Sequence, residues 1–294
     1  MSIPVISAHA NLDDRTRRCL GVVAEVWQTL HAHLDALCLI GGWAVYALSE
    51  ASGLTGTRTL PRHRGSLDVD IALAWSELSA ATAALVAEKL KAAQYIEPPE
   101  GSFRWSRQHP EDPEPFEIDL MATHPPDHEA GPLLVGGYVL APFWNGETAL
   151  AAPEQFILHA VLPSGQMAEQ TVTVAGRAGL LYAKAQIPFA RGVSPAARDK
   201  HLEDVYYLLR TWPGGPKVAA AEIALQLGDE AQMTLADALD AAFEARTGIG
   251  PRAVMSAIGA SPDVEDRILA EAQAGVQGVV SELRRGHCGG ERPH

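Results

Sequence analysis

Cysteine is scarce in this chain. The three residues, Cys19, Cys38 and Cys288, are odd in number and far apart. They show no zinc-ligand spacing, which argues against a structural metal. Cys38 lies in an apolar run and reads as core. Cys288 lies in the polar stretch Gly286-His287-Cys288-Gly289-Gly290, which reads as a frayed terminus before it reads as a metal site. Long hydrophobic runs are also missing. No stretch approaches the ~20 apolar residues a membrane-spanning helix needs, and the N-terminus has no basic segment followed by an apolar one. A cytoplasmic protein without membrane contact is the expectation. Basic residues are in short supply, 23 Lys and Arg against 36 Asp and Glu, for a net charge of −13. That sign opposes a surface broadly adapted to nucleic acid. What remains is ordinary: 47% hydrophobic and 20% charged residues in 294 positions, enough for one large or two modest globular domains.

Against this background one stretch is unusual. It opens with Ile40-Gly41-Gly42-Trp43-Ala44 and closes with Arg64-Gly65-Ser66-Leu67-Asp68-Val69-Asp70-Ile71-Ala72-Leu73. The order reads as an apolar strand, a glycine turn, a helix and a second apolar strand carrying two carboxylates. Residues two apart on a strand share a face, so Asp68 and Asp70 should project side by side. Adjacent carboxylates repel each other, and a cation between them removes that cost. Magnesium suits such a site, because it takes a few carboxylate oxygens and completes its octahedron with water and phosphate oxygens. A second acidic strand, Phe116-Glu117-Ile118-Asp119-Leu120-Met121, puts Glu117 and Asp119 on one face. If it pairs beside the first, three carboxylates converge on a patch able to hold two Mg²⁺ ions bridged by a nucleoside triphosphate. Backbone N–H groups at Gly41 and Gly42 would open the helix and suit a phosphate.

Periodicity predicts helices over 11–33, 43–50 and 76–94, the last capped by Ser76, and strands over 34–40, 67–74, 103–107, 116–122, 133–140 (bent at Gly136-Gly137) and 171–174. Pro153 is expected to open a short helix through Leu162. From Ala178 the pattern is helical: Pro195–Arg210, Val218–Leu227, Leu235–Arg246 and Pro262–Arg285. Strands gather before residue 175 and helices after it. The expected fold is α+β, with a mixed-sheet catalytic domain over 1–175 and a helical domain over 176–294. Basic residues flank the acids: Arg58, Arg62, His63 and Arg64 precede them, and Arg104 and Arg107 bracket Trp105. They read as solvated loop charge before they read as phosphate ligands. His124 and His128 lie in a proline-bearing segment and read as solvated loop. Trp43 reads as a packing residue.

Together these motifs resemble the nucleotidyltransferase fold of the polymerase-beta superfamily, and within it the AbiEii-type nucleotidyltransferases, toxins of bacterial abortive-infection and toxin–antitoxin systems. Arg64-Gly65-Ser66-Leu67-Asp68-Val69-Asp70 matches that family's acidic motif. Leu180-Leu181-Tyr182-Ala183-Lys184-Ala185 supplies its helical lysine, and Arg198-Asp199-Lys200-His201-Leu202-Glu203-Asp204-Val205 resembles its last motif. The likeness covers residues 36–210, with a connection from Ser49 to His63 that is long for the family. The resemblance implies a Mg²⁺-dependent enzyme that transfers a nucleoside monophosphate from an NTP to an acceptor hydroxyl. Asp68 and Asp70 would hold two ions and Asp119 the acceptor-side one. Gly41, Gly42, Arg64, Ser66 and Lys184 would bind the nucleotide, with Lys184 on the triphosphate. Asp204 would orient Lys184 or touch the nucleotide, against the plainer alternative of an ion pair with Lys200. Implied partners are the NTP, a tRNA 3′ end as acceptor and a cognate antitoxin protein. A small-molecule acceptor such as an aminoglycoside, and a non-catalytic nucleotide-binding scaffold, are the alternatives.

Overall fold

The computed structural model describes residues 3–9, 12–32, 34, 37–57, 60–123, 131–259 and 262–288. Arg58, His124 and His128 lie outside them, as do the side chains of His287 and Cys288. Among the described residues the fold is mixed, a nine-stranded sheet followed by a helical C-terminal region. The chain divides into two compact units. The first comprises residues 1–47 and 64–176, the second residues 48–63 and 177–294.

In the first unit the elements run β1 (Val5–Ser7), α1 (Asp14–His31), β2 (Leu37–Leu39), α2 (Gly41–Ala51, whose last turn belongs to the second unit), β3 (Asp68–Leu73) and α3 (Ala80–Ala92). They continue with β4 (Arg104–Arg107), β5 (Phe116–Thr123), β6 (Leu133–Val135), β7 (Tyr138–Phe143), α4 (Gly146–Ala151), β8 (Glu154–Val161) and β9 (Met167–Val174). The strand order is β1-β8-β9-β2-β3-β5-β7-β6, and β4 pairs with β5 as well. Asp13 caps α1 by accepting the Thr16 N–H at 2.8 Å. One face of that helix buries Leu20, Val23, Trp27 and Leu30, the periodicity that marked it in the sequence.

Several expectations are corrected. The segment after Pro153 is the strand β8, not a helix. Phe156, Leu158 and Ala160 alternate inward and are buried, and the strand is flanked by β1 and β9. The alternation period of two outweighs the proline signal. The strand expected over 133–140 is a hairpin, β6 and β7 joined through Gly136-Gly137. Ser79, not Ser76, caps α3, accepting the Thr82 N–H at 3.0 Å, while residues 75–77 form a separate 3-10 turn.

The second unit is helical: α5 (Arg177–Gln186), α6 (Pro195–Arg210), α7 (Gly215–Gln226), α8 (Asp229–Phe243), α9 (Ile249–Ile258) and α10 (Pro262–Cys288). Ser194 caps α6, and Pro195 sits in the first turn where its missing N–H costs nothing. The long α10 packs on α7, α8 and α9 and buries Ile268, Val276 and Val280. It runs to Cys288, beyond the tail expected to begin at Gly286.

Candidate functional site

The acidic patch forms in the first unit. β3 and β5 pair in parallel, with Asp68 opposite Glu117 and Asp70 opposite Asp119. Partners in register point to the same side, so four carboxylates share one face of the two adjoining strands. The other face is apolar, and Val69, Ile71, Leu73, Ile118 and Leu120 are all buried there. This burial fixes the register. Slipping either strand by one residue would drive its acids into the core.

Local packing explains the glycine pair. Gly41 has φ of +66°, and a Cβ there would overlap the Asp70 carboxylate. A Cβ on Gly42 would meet the Ser66 side chain at 2.9 Å. Both glycines are required where the acidic strand and its preceding turn lie against the first turn of α2. The Asp70 carboxylate thus sits at a helix N-terminus, where a negative charge is favoured. The Ser66 hydroxyl donates a hydrogen bond to Asp68 Oδ1, and Ser66 is buried. Trp43 is buried and packs edge-on to Tyr46, with ring centroids 5.3 Å apart. Arg64 is exposed just before this turn.

Asp119 has a partner that sequence reasoning missed. β4 pairs antiparallel to β5 with Arg104 opposite Asp119. Arg104 Nε donates to Asp119 Oδ1 at 2.8 Å and Nη2 to Oδ2 at 2.7 Å, while Nη1 donates to Glu117 Oε2 at 2.7 Å. The hydrogen bonds to Asp119, together with nearby negative charge including Asp68, raise the Arg104 pKa further above its ordinary value. Arg104 is therefore no loop charge. Its visible signal was its place in a short strand beside a buried Trp105. Arg107, also taken as loop charge, pairs with Glu25 and lies over the Tyr95 ring.

Among the described residues no group of three His, Cys, Asp or Glu side chains is disposed to hold a metal ion. Asp68 and Asp70 share one face, whereas both oxygens of Asp119 accept from Arg104. An ion at Asp119, as the sequence leads one to expect, would have to compete with the Arg104 guanidinium for those oxygens.

Comparison with known proteins finds no family model that matches this chain and no curated protein that matches it.

The remaining expected residues lie in the second unit. Lys184, on α5, donates to Asp204 Oδ2 at 2.6 Å, and His63 Nε2 bonds Asp204 Oδ1 at 2.9 Å. Lys184 is 4% exposed and Asp204 1%. Burial opposes ionisation of Asp204, but the Lys184 charge and the bonds from His63 and Lys184 outweigh it and hold its carboxyl well below the usual range. Asp204 thus bonds Lys184 and His63. His63 is buried and stands edge-on to Tyr207, whose hydroxyl donates to Pro61 O at 3.1 Å. His63 is therefore a buried clasp, not a solvated loop residue. Arg62 pairs with Glu50 at 3.3 Å. Arg177, also buried, ties the same segment by donating to Leu48 O at 2.7 Å and Thr211 Oγ1 at 3.0 Å.

A separate cavity of about 500 Å³ lies on the apolar side of the sheet, lined by Leu73, Leu120, Trp105, Val86 and Ala87. It is turned away from the acids.

Proposed function

We propose that this chain is a Mg²⁺-dependent nucleotidyltransferase that moves a nucleoside monophosphate from an NTP to an acceptor hydroxyl. The observation that carries the reading is the placement of Asp68 and Asp70 on one face of an interior strand, with Asp70 seated against the Gly41 turn and Ser66 bonded to Asp68. A fold gains nothing from like charges gathered this way, and a bound cation relieves the repulsion. Asp68 and Asp70 would hold the ion, which when bound supplies charge stabilisation at the phosphoryl oxygens. Ser66 orients the Asp68 carboxylate by its hydrogen bond. Gly41 and Gly42 let Asp70 and Ser66 approach the first turn of α2, whose N–H groups favour anionic oxygens. Arg64, exposed just before Gly65 and Ser66, would attract phosphate. The proposal is carried by the first unit and assigns Lys184 and Asp204 no step.

The acceptor is sought among RNA 3′ ends and small polyhydroxylated molecules such as aminoglycosides. The test incubates the protein with α-labelled NTPs and either total RNA or an aminoglycoside, in Mg²⁺ or in EDTA. Label transferred in Mg²⁺ and absent in EDTA supports the reading. No transfer to any acceptor, together with no Mg²⁺-dependent thermal stabilisation by NTPs, refutes it in favour of a non-catalytic scaffold. A salt series on the productive acceptor separates the two classes, since a polyanionic acceptor loses affinity steeply as salt rises.

A further inference from the structure

We propose that the cavity beneath α3 in the first unit binds a small amphiphilic amine, with its apolar body inside and its ammonium at an acidic mouth. The inference stands apart from the transfer reaction, because the cavity lies on the side of the sheet away from the acids. Its floor is made by Leu73 of β3, Trp105 of β4 and Leu120 of β5, and its roof by Ala83, Val86 and Ala87 of α3. All six are buried. Packed interiors leave few voids larger than a water molecule. The volume here is about 500 Å³, within the roughly 300–1,000 Å³ of small-molecule sites.

The walls are held by the protein's own contacts. The β6–β7 hairpin bounds the cavity, and its turn packs tightly on the start of α3: Gly136 has φ of +58°, and a Cβ there would come within 2.9 Å of Ala80 Cα. Residues 97–102 bound it as well. Ile96 N–H donates to Ser106 O at 2.7 Å, Glu97 pairs with Lys91 at 2.6 Å, and Ser102 N–H donates to Pro99 O at 2.9 Å. The pocket is thus formed before any ligand arrives, which lowers the ordering cost of binding. Its exposed lining residues, Glu97, Pro99, Glu100 and Leu134, mark the mouth. The two glutamates are the charged residues of the lining. Lys91 offsets Glu97, and Glu100 has no ion pair among the described residues. The mouth therefore keeps a negative charge, on a chain of net charge −13. That sign repels carboxylates and phosphates and attracts a cation, while the walls take an aliphatic or aromatic body.

Three probes of one shape test this on the full chain by isothermal titration calorimetry at pH 7: 4-phenylbutylamine, 4-phenylbutan-1-ol and 4-phenylbutyrate. The amine is expected to bind one to one, about tenfold more tightly than the butyrate, with the alcohol between them, since an exposed charge pair is worth up to about fivefold. Its binding enthalpy should fall as temperature rises, the mark of apolar burial. Ala87→Met, which fills the cavity from its roof, should abolish binding of all three. Glu100→Lys, on an exposed turn where folding is not at risk, should erase or reverse the preference for the amine. Failure of the amine to bind, or equal affinity for amine and butyrate on the wild type, overturns the proposal. So does undiminished binding in a folded Ala87→Met, or an unchanged preference in Glu100→Lys. None of these outcomes touches the nucleotidyltransferase reading, which NTP transfer tests separately.

Discussion

Two groups of ionisable side chains, one in each unit, are built on opposite plans. On the sheet of the first unit four carboxylates, Asp68, Asp70, Glu117 and Asp119, share one face, and the Arg104 guanidinium bonds two of them, Asp119 and Glu117. Within the second unit the Asp204 carboxylate is enclosed by one lysine and one histidine and is almost wholly buried. The first group gathers acids at a partly exposed face. The second is buried and sets a lysine against the acid. A protein keeps an unbalanced cluster only where something from outside completes it, whereas a matched buried cluster completes itself and holds segments of chain together. Removing an acid should therefore have opposite consequences for stability in the two places.

The sharpest break in the comparison is at Asp70. Asp70→Asn and Asp68→Asn should each lower NMP transfer by about ten-thousandfold or more, equivalent to ~5 kcal/mol of transition-state stabilisation, with the midpoint of thermal unfolding unchanged or raised. Either variant retaining near-normal transfer would remove these residues from the chemistry. Next in size is Asp204→Ala, which strands Lys184 as an uncompensated buried charge and should cost about 3–5 kcal/mol of stability in a denaturant titration. A cost below ~1 kcal/mol would mean that the buried cluster is not what holds residues 60–63 in place. Gly41→Ala tests the contact between the turn and the acid. Forcing a Cβ into the Asp70 carboxylate at positive φ should cost about 1–3 kcal/mol, and should weaken Mn²⁺ binding as Asp70 is displaced. Wild-type stability in this variant would show that the close approach is unimportant.

The smallest effect is that of acid. Asp204 has its carboxyl depressed in the folded chain, so the folded state binds fewer protons there than the unfolded state. Its stabilisation is fully present above the ordinary carboxylate value of about 4. It is lost progressively as pH falls through and below that value toward the depressed one. Unfolding curves collected from pH 6 downward should steepen in that window for the wild type and flatten in Asp204→Asn. Identical profiles would deny Asp204 this role.

The acidic face was largely legible in the sequence, and for a physical reason. A strand buried on one side must alternate, so apolar residues between the acids announced both the strand and the side on which Asp68, Asp70, Glu117 and Asp119 lie. The Lys184 helix and the α6 segment ending at Arg210 were legible from their 3.6-residue period. Pairings across distance were not. That Arg104 meets Asp119 depends on how β4 is registered against β5, set by the path of residues 108–115 and not by any local pattern. His63 and Asp204 are 141 positions apart, and nothing near His63 distinguishes it from the arginines on either side. β8 was misread because a proline before a mixed stretch suits a helix start as well as a strand start. β1, three residues long, is too short to show a period, and α9, with Gly250 and Pro251 in its first turn, was not anticipated.

The excursion of residues 48–63 out of the first unit and into the second has a bearing on synthesis. A ribosome delivers the chain from its N-terminus, and His63 emerges long before Asp204 and Lys184 exist to receive it. β2 must likewise wait for β9, more than a hundred residues later. The nascent chain therefore carries a segment with no destination through most of translation, while the sheet around it assembles on both sides of the gap. Such long-delayed closures slow folding. They also leave residues 48–63 open to a protease in the growing chain until His63 meets Asp204.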